Sequence, residues 1–65
     1  MKYIYKITSE RDTAVFKSNM NPDAMDDYIY RKISEDNLIE VEDMNTNELF
    51  VEFATDVEVT LVKTC

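Results

Sequence analysis

Alternating apolar and polar positions predict a first β-strand over residues 2–8, where aromatic and β-branched residues predominate. One face of this strand would carry Tyr3, Tyr5 and Ile7, and the other Lys2, Ile4 and Lys6. A polar turn at residues 9–12 and a second short strand at residues 13–18 complete a predicted hairpin. The pattern leaves the inward face of the second strand open, because Val15 would match Ile7 whereas Phe16 is the larger apolar group.

The periodicity then changes and predicts a helix that begins after Asn21. Asn21 is a favourable N-cap, Pro22 suits the first helical position, and three acids favour the positive end of the helix dipole: Asp23, Asp26 and Asp27. Apolar side chains recur at helical spacing and would face the core: Met25, Tyr28, Ile29 and Ile33. Asn37 is expected to end the helix in a left-handed conformation.

Alternation of period two returns after the helix and predicts strands at residues 38–43 and 48–54. The odd-numbered apolar residues are expected to face inward: Ile39, Val41, Leu49, Val51, Phe53, Val57, Val59 and Leu61. Residues 48–63 form either one long strand bent near Thr55 or two strands joined by a loop of odd length. The sequence therefore predicts one α+β domain over residues 1–65. Its order is β-β-α-β-β with an optional fifth strand, in an antiparallel sheet with one helix on its inner face.

The composition excludes several classes of function. The 65 residues include no glycine, so phosphate-binding loops, the dinucleotide fingerprint and the EF-hand loop are excluded. The chain has no histidine and no paired nucleophile, so we expect no catalytic residue, no metal site and no cofactor. A lone cysteine, Cys65, and the lack of a signal-peptide pattern predict a cytoplasmic protein. No apolar run is long enough to span a membrane.

The charge is asymmetric along the chain. Residues 1–20 carry four bases and two acids, whereas residues 21–65 carry three bases and twelve acids, for a total net charge of −7. Between Glu35 and Glu58 there are nine acids and no Lys or Arg. A field of this sign disfavours direct binding to nucleic acid or membranes, and it favours a basic protein partner.

If the odd-numbered residues face inward, several glutamates would share the outer face: Glu40, Glu42, Glu52 and Glu58. Phe50 would lie among them as an exposed apolar anchor, with Tyr30 on the helix as a second contact. Such a face could imitate a phosphate track. In general character the chain resembles phage or mobile-element proteins that block host nucleases, of the anti-restriction or anti-CRISPR type. We therefore expect a small acidic inhibitor that occludes a nucleic-acid-binding enzyme as a DNA mimic. The alternative is a self-associating structural or regulatory module that forms a homodimer and has no mimicry.

Overall fold

Five strands, one α-helix and one 3₁₀ turn make up the computed structural model, which describes residues 2–65. The elements follow in the order β1 (Tyr3–Thr8), β2 (Thr13–Ser18), α1 (Pro22–Ser34), β3 (Leu38–Glu42), β4 (Leu49–Phe53), the 3₁₀ turn (Ala54–Asp56) and β5 (Glu58–Thr64). The α+β fold, the antiparallel strands and the order of the elements are as predicted, and the optional fifth strand is present. The strands form two sheets rather than the one expected.

The first sheet has the order β2-β1-β5 and contains the N-terminal hairpin. Its register places Tyr5 opposite Phe16 and Ile7 opposite Ala14. Ala14 and Phe16 are buried, whereas Val15 is only half-buried, so the inward face of β2 is the one that carries Phe16. The larger ring is favoured there because it stacks on Tyr5, with ring centroids 5.7 Å apart and an interplanar angle of 27°.

One cluster of buried side chains joins both sheets and the helix: Tyr5, Ile7, Ala14, Phe16, Met25, Ile39, Phe50 and Ala54. The Tyr5 hydroxyl donates a hydrogen bond to the Met20 carbonyl at 2.7 Å, which satisfies its polar atom within this cluster. Burial raises the pKa of Tyr5, with smaller contributions from the neighbouring Tyr3 and Asp26. The buried ring and its hydroxyl are thus structural.

The helix begins as its sequence predicts and ends one residue earlier than expected. The Asn21 side chain accepts a hydrogen bond from the Ala24 amide at 2.9 Å, and Pro22 is the first helical residue. At the other end Asp36, not Asn37, has the left-handed conformation, with φ of 52°. The amides of Asp36 and Asn37 donate to the carbonyls of Ile33 and Lys32, which is the Schellman arrangement. The prediction for Asn37 is therefore wrong, because Glu35 already serves as the C-cap.

The helical stripe packs as expected over most of its length. Met25 is buried, and Tyr28 and Ile29 pack against the cluster, but Ile33 near the C-terminal end is 40% exposed.

None of the helices in residues 2–65 is both long and apolar enough to cross a membrane.

The second sheet is the hairpin of β3 and β4, and it is attached to β2 at one point. The Met44 amide donates to the Val15 carbonyl at 2.8 Å, and the Val15 amide donates to Asp43 Oδ2 at 3.1 Å. Asp43 also accepts the amides of Asn45 and Thr46. These hydrogen bonds lower the pKa of Asp43, because they stabilise its charged form. One carboxylate thus orders the β3–β4 turn and connects the two sheets.

The sequence left open whether residues 48–63 form one bent strand or two strands, and the structure decides this. Two strands are present, and the 3₁₀ turn lies between them. β5 does not pair with β4 but lies beside β1, with Ile7 opposite Val59 and Thr8 opposite Glu58. The chain therefore leaves the second sheet at Phe53 and enters the first sheet at Glu58.

Candidate protein-interaction surface

The outward side of the β3–β4 hairpin carries exposed apolar and acidic side chains together. The register pairs Leu38 with Phe53, Glu40 with Val51, and Glu42 with Leu49. We refer to these six residues as the hairpin face, and all six are exposed. Paired side chains on one face of an antiparallel sheet lie about 4.5–5.5 Å apart at their Cβ atoms. Two carboxylates thus stand directly beside two apolar side chains.

The apolar part of the hairpin face follows β4. Leu49 is 63% exposed, Phe53 is 47% exposed and Val51 is 37% exposed, and Leu38 across from Phe53 is 39% exposed. Four neighbouring apolar side chains form a contiguous patch rather than scattered surface residues. A contiguous apolar patch with a charged rim is typical of an interaction site.

The acidic part follows β3. Glu40 and Glu42 lie on the same face two residues apart, a separation of about 6.8 Å along a strand. Within residues 2–65 neither glutamate takes part in a salt bridge. Their charge is therefore available to a basic group outside the chain.

The prediction that Phe50 is an exposed anchor is wrong, because Phe50 is 2% exposed and belongs to the core cluster. It pairs with Val41, which lies on the inward face of β3. The even-numbered residues of β4 point inward, opposite to the expected parity, so Leu49, Val51 and Phe53 point outward. The expectation that these three residues belong to the core is wrong for the same reason.

Glu52 also lies on the inward side, where it faces Ile39 across the hairpin. Its side chain is 12% exposed, and Arg11 Nη2 lies 3.1 Å from Oε1 and 3.2 Å from Oε2. The predicted outward position of Glu52 is therefore wrong. The physical reason is that Arg11, at the tip of the β1–β2 turn, supplies a counter-charge that the local pattern around Glu52 does not contain.

The remaining predicted contacts lie on other parts of the molecule. Glu58 is exposed at the start of β5 in the first sheet, opposite Thr8, and Tyr30 is 72% exposed on the helix. The four glutamates thus do not form the common patch that was predicted, because only Glu40 and Glu42 share a face. The apolar stripe of β4 was not predicted, and the only signal for it in the sequence is that β4 has a phenylalanine on each of its two faces, Phe50 and Phe53.

Two concave regions accompany the hairpin face. A polar cavity of about 590 Å³ lies between the β1–β2 turn and the 3₁₀ turn, and Arg11 and Glu52 line it. A second cavity of about 370 Å³ lies between β2, α1 and β3, with Phe16, Met25 and Ile39 among its lining residues. Across the described part of the chain, no three His, Cys, Asp or Glu side chains are grouped so that they could hold a metal ion. Neither cavity thus offers a metal centre within these residues.

Comparisons with protein-family models, with curated proteins and with solved structures found no match.

Proposed function

We propose that this protein is a small, non-catalytic binding protein that docks onto a basic surface of another protein through its hairpin face. The observation that supports this most is the exposed apolar stripe of Leu49, Val51 and Phe53 immediately beside Glu40 and Glu42. A stripe of this kind gains free energy when a partner removes it from water. The adjacent carboxylates select partners of opposite charge.

The charge distribution supports a basic partner. The total charge is −7, and the segment from Glu35 to Glu58 contains no Lys or Arg. Attraction between such a segment and a basic surface accelerates association and becomes weaker as salt is added. Apolar contact through Phe53 and Leu49 would then lengthen the lifetime of the complex.

The partner class that fits this field is a nucleic-acid-binding enzyme, whose basic groove the hairpin face would occlude. The protein would act in the cytoplasm as an inhibitor of the phage anti-restriction or anti-CRISPR type. Charge mimicry would rest on Glu40 and Glu42 together with the overall field, since Glu52 is paired with Arg11. No catalytic role is proposed, because the chain has neither a histidine nor a paired nucleophile.

The experiment is affinity capture from a bacterial lysate, followed by measurement of the affinity for each captured protein across a salt series. Glu40→Gln with Glu42→Gln should weaken capture, and so should Leu49→Ser with Phe53→Ser. The matched control is Asp23→Asn with Asp27→Asn, which removes two charges from the exposed side of the helix. We expect the control to retain capture. Affinity that does not change with salt, or equal capture by the hairpin-face variants, would contradict the proposal.

A second candidate function, self-association, is favoured by a separate feature. β4 is the outer strand of its sheet, and in residues 2–65 it pairs only with β3. Its other edge therefore has unpaired main-chain groups, which are the usual route by which strands of two molecules join.

A further inference from the structure

The main-chain groups on the outer edge of β4 belong to the residues that carry the apolar stripe. In an antiparallel sheet, residues whose main-chain N–H and C=O groups bond to the neighbouring strand alternate with residues whose main-chain groups point away from it. The Asp43 amide donates to the Glu48 carbonyl, and the Ala54 amide donates to the Asn37 carbonyl, so the even-numbered residues of β4 face β3. The N–H and C=O groups of Leu49, Val51 and Phe53 consequently point away from the hairpin.

β4 is also the least protected edge, because its protection is limited to its short length and the inward-pointing charge of Glu52, which is paired with Arg11. Natural sheets protect their edges with lysine, proline, bulges or coverage by other segments. β2 carries Lys17, and β5 carries Lys63 and a register shift against β1. The edge of β3 lies towards β2, where Met44 bonds to Val15. β4 has no lysine, arginine or proline, and its register against β3 is regular.

We propose that two copies of this chain pair antiparallel through β4, with Val51 on the two-fold axis, and form a four-stranded sheet of order β3-β4-β4-β3. Leu49 then lies opposite the second copy's Phe53, and Val51 lies opposite itself. These are the residues whose main-chain groups point outward, so each would exchange two hydrogen bonds with its counterpart. An isologous pairing of this kind needs only one self-complementary strand.

The side chains of β4 are compatible with this register. On the hairpin face, Leu49 and Phe53 form two apolar cross-strand pairs around the central Val51 pair. On the inward side, Glu52 lies opposite the second copy's Phe50, and at the strand end Glu48 lies opposite Ala54. No two carboxylates face each other across the new junction. The β3 strands, which carry Glu40 and Glu42, are separated by three strand spacings, or about 14 Å, which exceeds the Debye length of about 8 Å at physiological salt.

The junction is short, and this determines its strength. Five residues on each side bury much less surface than the roughly 1,600 Å² of a standard stable interface. The dimer is therefore reversible and forms as the protein concentration rises. Edge pairing leaves the hairpin face uncovered and places both copies of it on the same side of the sheet. The inference rests on the second candidate function, self-association, and specifies its register; it is independent of docking through the hairpin face, since either one can fail without the other.

The first test is sedimentation velocity of the full chain from micromolar to millimolar concentration. The wild-type protein should pass from monomer to dimer across this range. Val51→Lys places a positive charge opposite its own copy on the axis, so it should remain monomeric throughout. Thr60→Lys, which adds the same charge to exposed β5, and Val51→Thr, which retains the amide and the β-branched shape, should still dimerise. A wild-type protein that stays monomeric at millimolar concentration, or a Val51→Lys variant that dimerises like wild type, overturns the proposal.

The second test determines the register. In a Cys65→Ser background, Leu49→Cys and Phe53→Cys are prepared separately and then mixed in a glutathione redox buffer. Hydrogen-bonded antiparallel partners have Cα atoms about 5.5 Å apart, within the range of a disulfide. The mixture should therefore form a mixed disulfide. Leu49 residues of the two copies would be about 14 Å apart, so the single variants should not cross-link. Equal cross-linking of either single variant overturns the register.

Discussion

At the scale of single residues, two phenylalanines three positions apart in β4 have opposite environments. Phe50 is 2% exposed in the core, whereas Phe53 is 47% exposed on the hairpin face. Both lie in a strand in which apolar side chains point to both sides, so hydrophobicity alone does not determine which face is buried. The pairing with β3 decides it, because Phe50 is opposite the inward-facing Val41.

We predict that Phe50→Ala lowers the free energy of unfolding by about 3–5 kcal/mol, the usual cost of truncating a buried phenylalanine. A domain of this size has a total stability of only about 3–10 kcal/mol, so a large fraction of the variant would be unfolded. Phe53→Ala should cost about 1 kcal/mol or less. Urea denaturation followed by circular dichroism measures both values, and equal losses would contradict the assignment of faces.

Asp43 is the residue that couples both sheets through hydrogen bonds to main-chain amides, and its lowered pKa makes this coupling dependent on pH. In the folded protein its pKa lies below the ordinary value of 3.8. The stability that the Asp43 carboxylate contributes is therefore fully present at pH values above 3.8. It is lost as the pH falls through the lower pKa of the folded state.

Asp43→Asn should lower the urea midpoint at neutral pH, because an amide nitrogen replaces one of the two oxygens that accept amide hydrogen bonds. It should also flatten the decline of the midpoint below about pH 4. Asp27→Asn on the exposed side of the helix is the matched control for charge. The assignment fails if Asp43→Asn and Asp27→Asn have identical pH profiles.

At the scale of elements, the helix was the part that sequence predicted best. Its N-cap, its first residue and most of its buried stripe follow from local spacing, and the structure contains each of them. Two details differ: the left-handed residue at its end is Asp36 instead of Asn37, and Ile33 of the predicted stripe is exposed. Local signals suffice here because capping and helical periodicity depend on neighbours within a few residues.

We predict that Asp36→Gly raises the free energy of unfolding by about 0.5–1 kcal/mol, because glycine adopts positive φ without the steric cost of a Cβ atom. Asp36→Ala should lower stability by a similar amount, because it retains the Cβ and lacks the short polar side chain that favours this conformation. Thermal unfolding of both variants gives the comparison. If the Asp36→Ala variant were more stable than the Asp36→Gly variant, the left-handed conformation assigned to Asp36 would be refuted.

The face of β4 could not be predicted from its own residues. The odd-numbered apolar pattern that starts at Leu49 continues along the sequence to Leu61, but the 3₁₀ turn lies between the two strands and changes which positions face inward. Glu52 faces inward on the same side of β4 as Phe50, and its counter-charge, Arg11, is 41 positions away. The predicted site therefore lost two of its members, Phe50 and Glu52, to contacts that are distant in sequence.

At the scale of the whole molecule, the net charge of −7 acts over a body whose Cα extents are 31 × 26 × 14 Å. At low salt every charge lies within about a Debye length or two of most others, so repulsion destabilises the folded state. The single ion pair recorded in residues 2–65, Arg11 with Glu52, is too weak to offset this, since one partner is 80% exposed.

The melting temperature should accordingly rise as NaCl is increased from about 20 mM to about 200 mM. Glu35→Gln with Glu48→Gln removes two exposed charges without removing a side-chain hydrogen bond seen in the structure. This variant should melt at a higher temperature than the wild type in low salt and respond less to added salt. A melting temperature that falls with salt would show that attractive pairs dominate instead.

The pairing of β1 with β5 brings Tyr3 beside Thr64 and makes β1 the central strand of the first sheet. Contacts between residues so far apart in sequence close a long loop, and loop closure slows folding more than it lowers final stability. During synthesis, β1 therefore has only β2 as a neighbour until the β5 residues have left the ribosome. Completion of the first sheet thus waits for β5, the last of the five strands to be made.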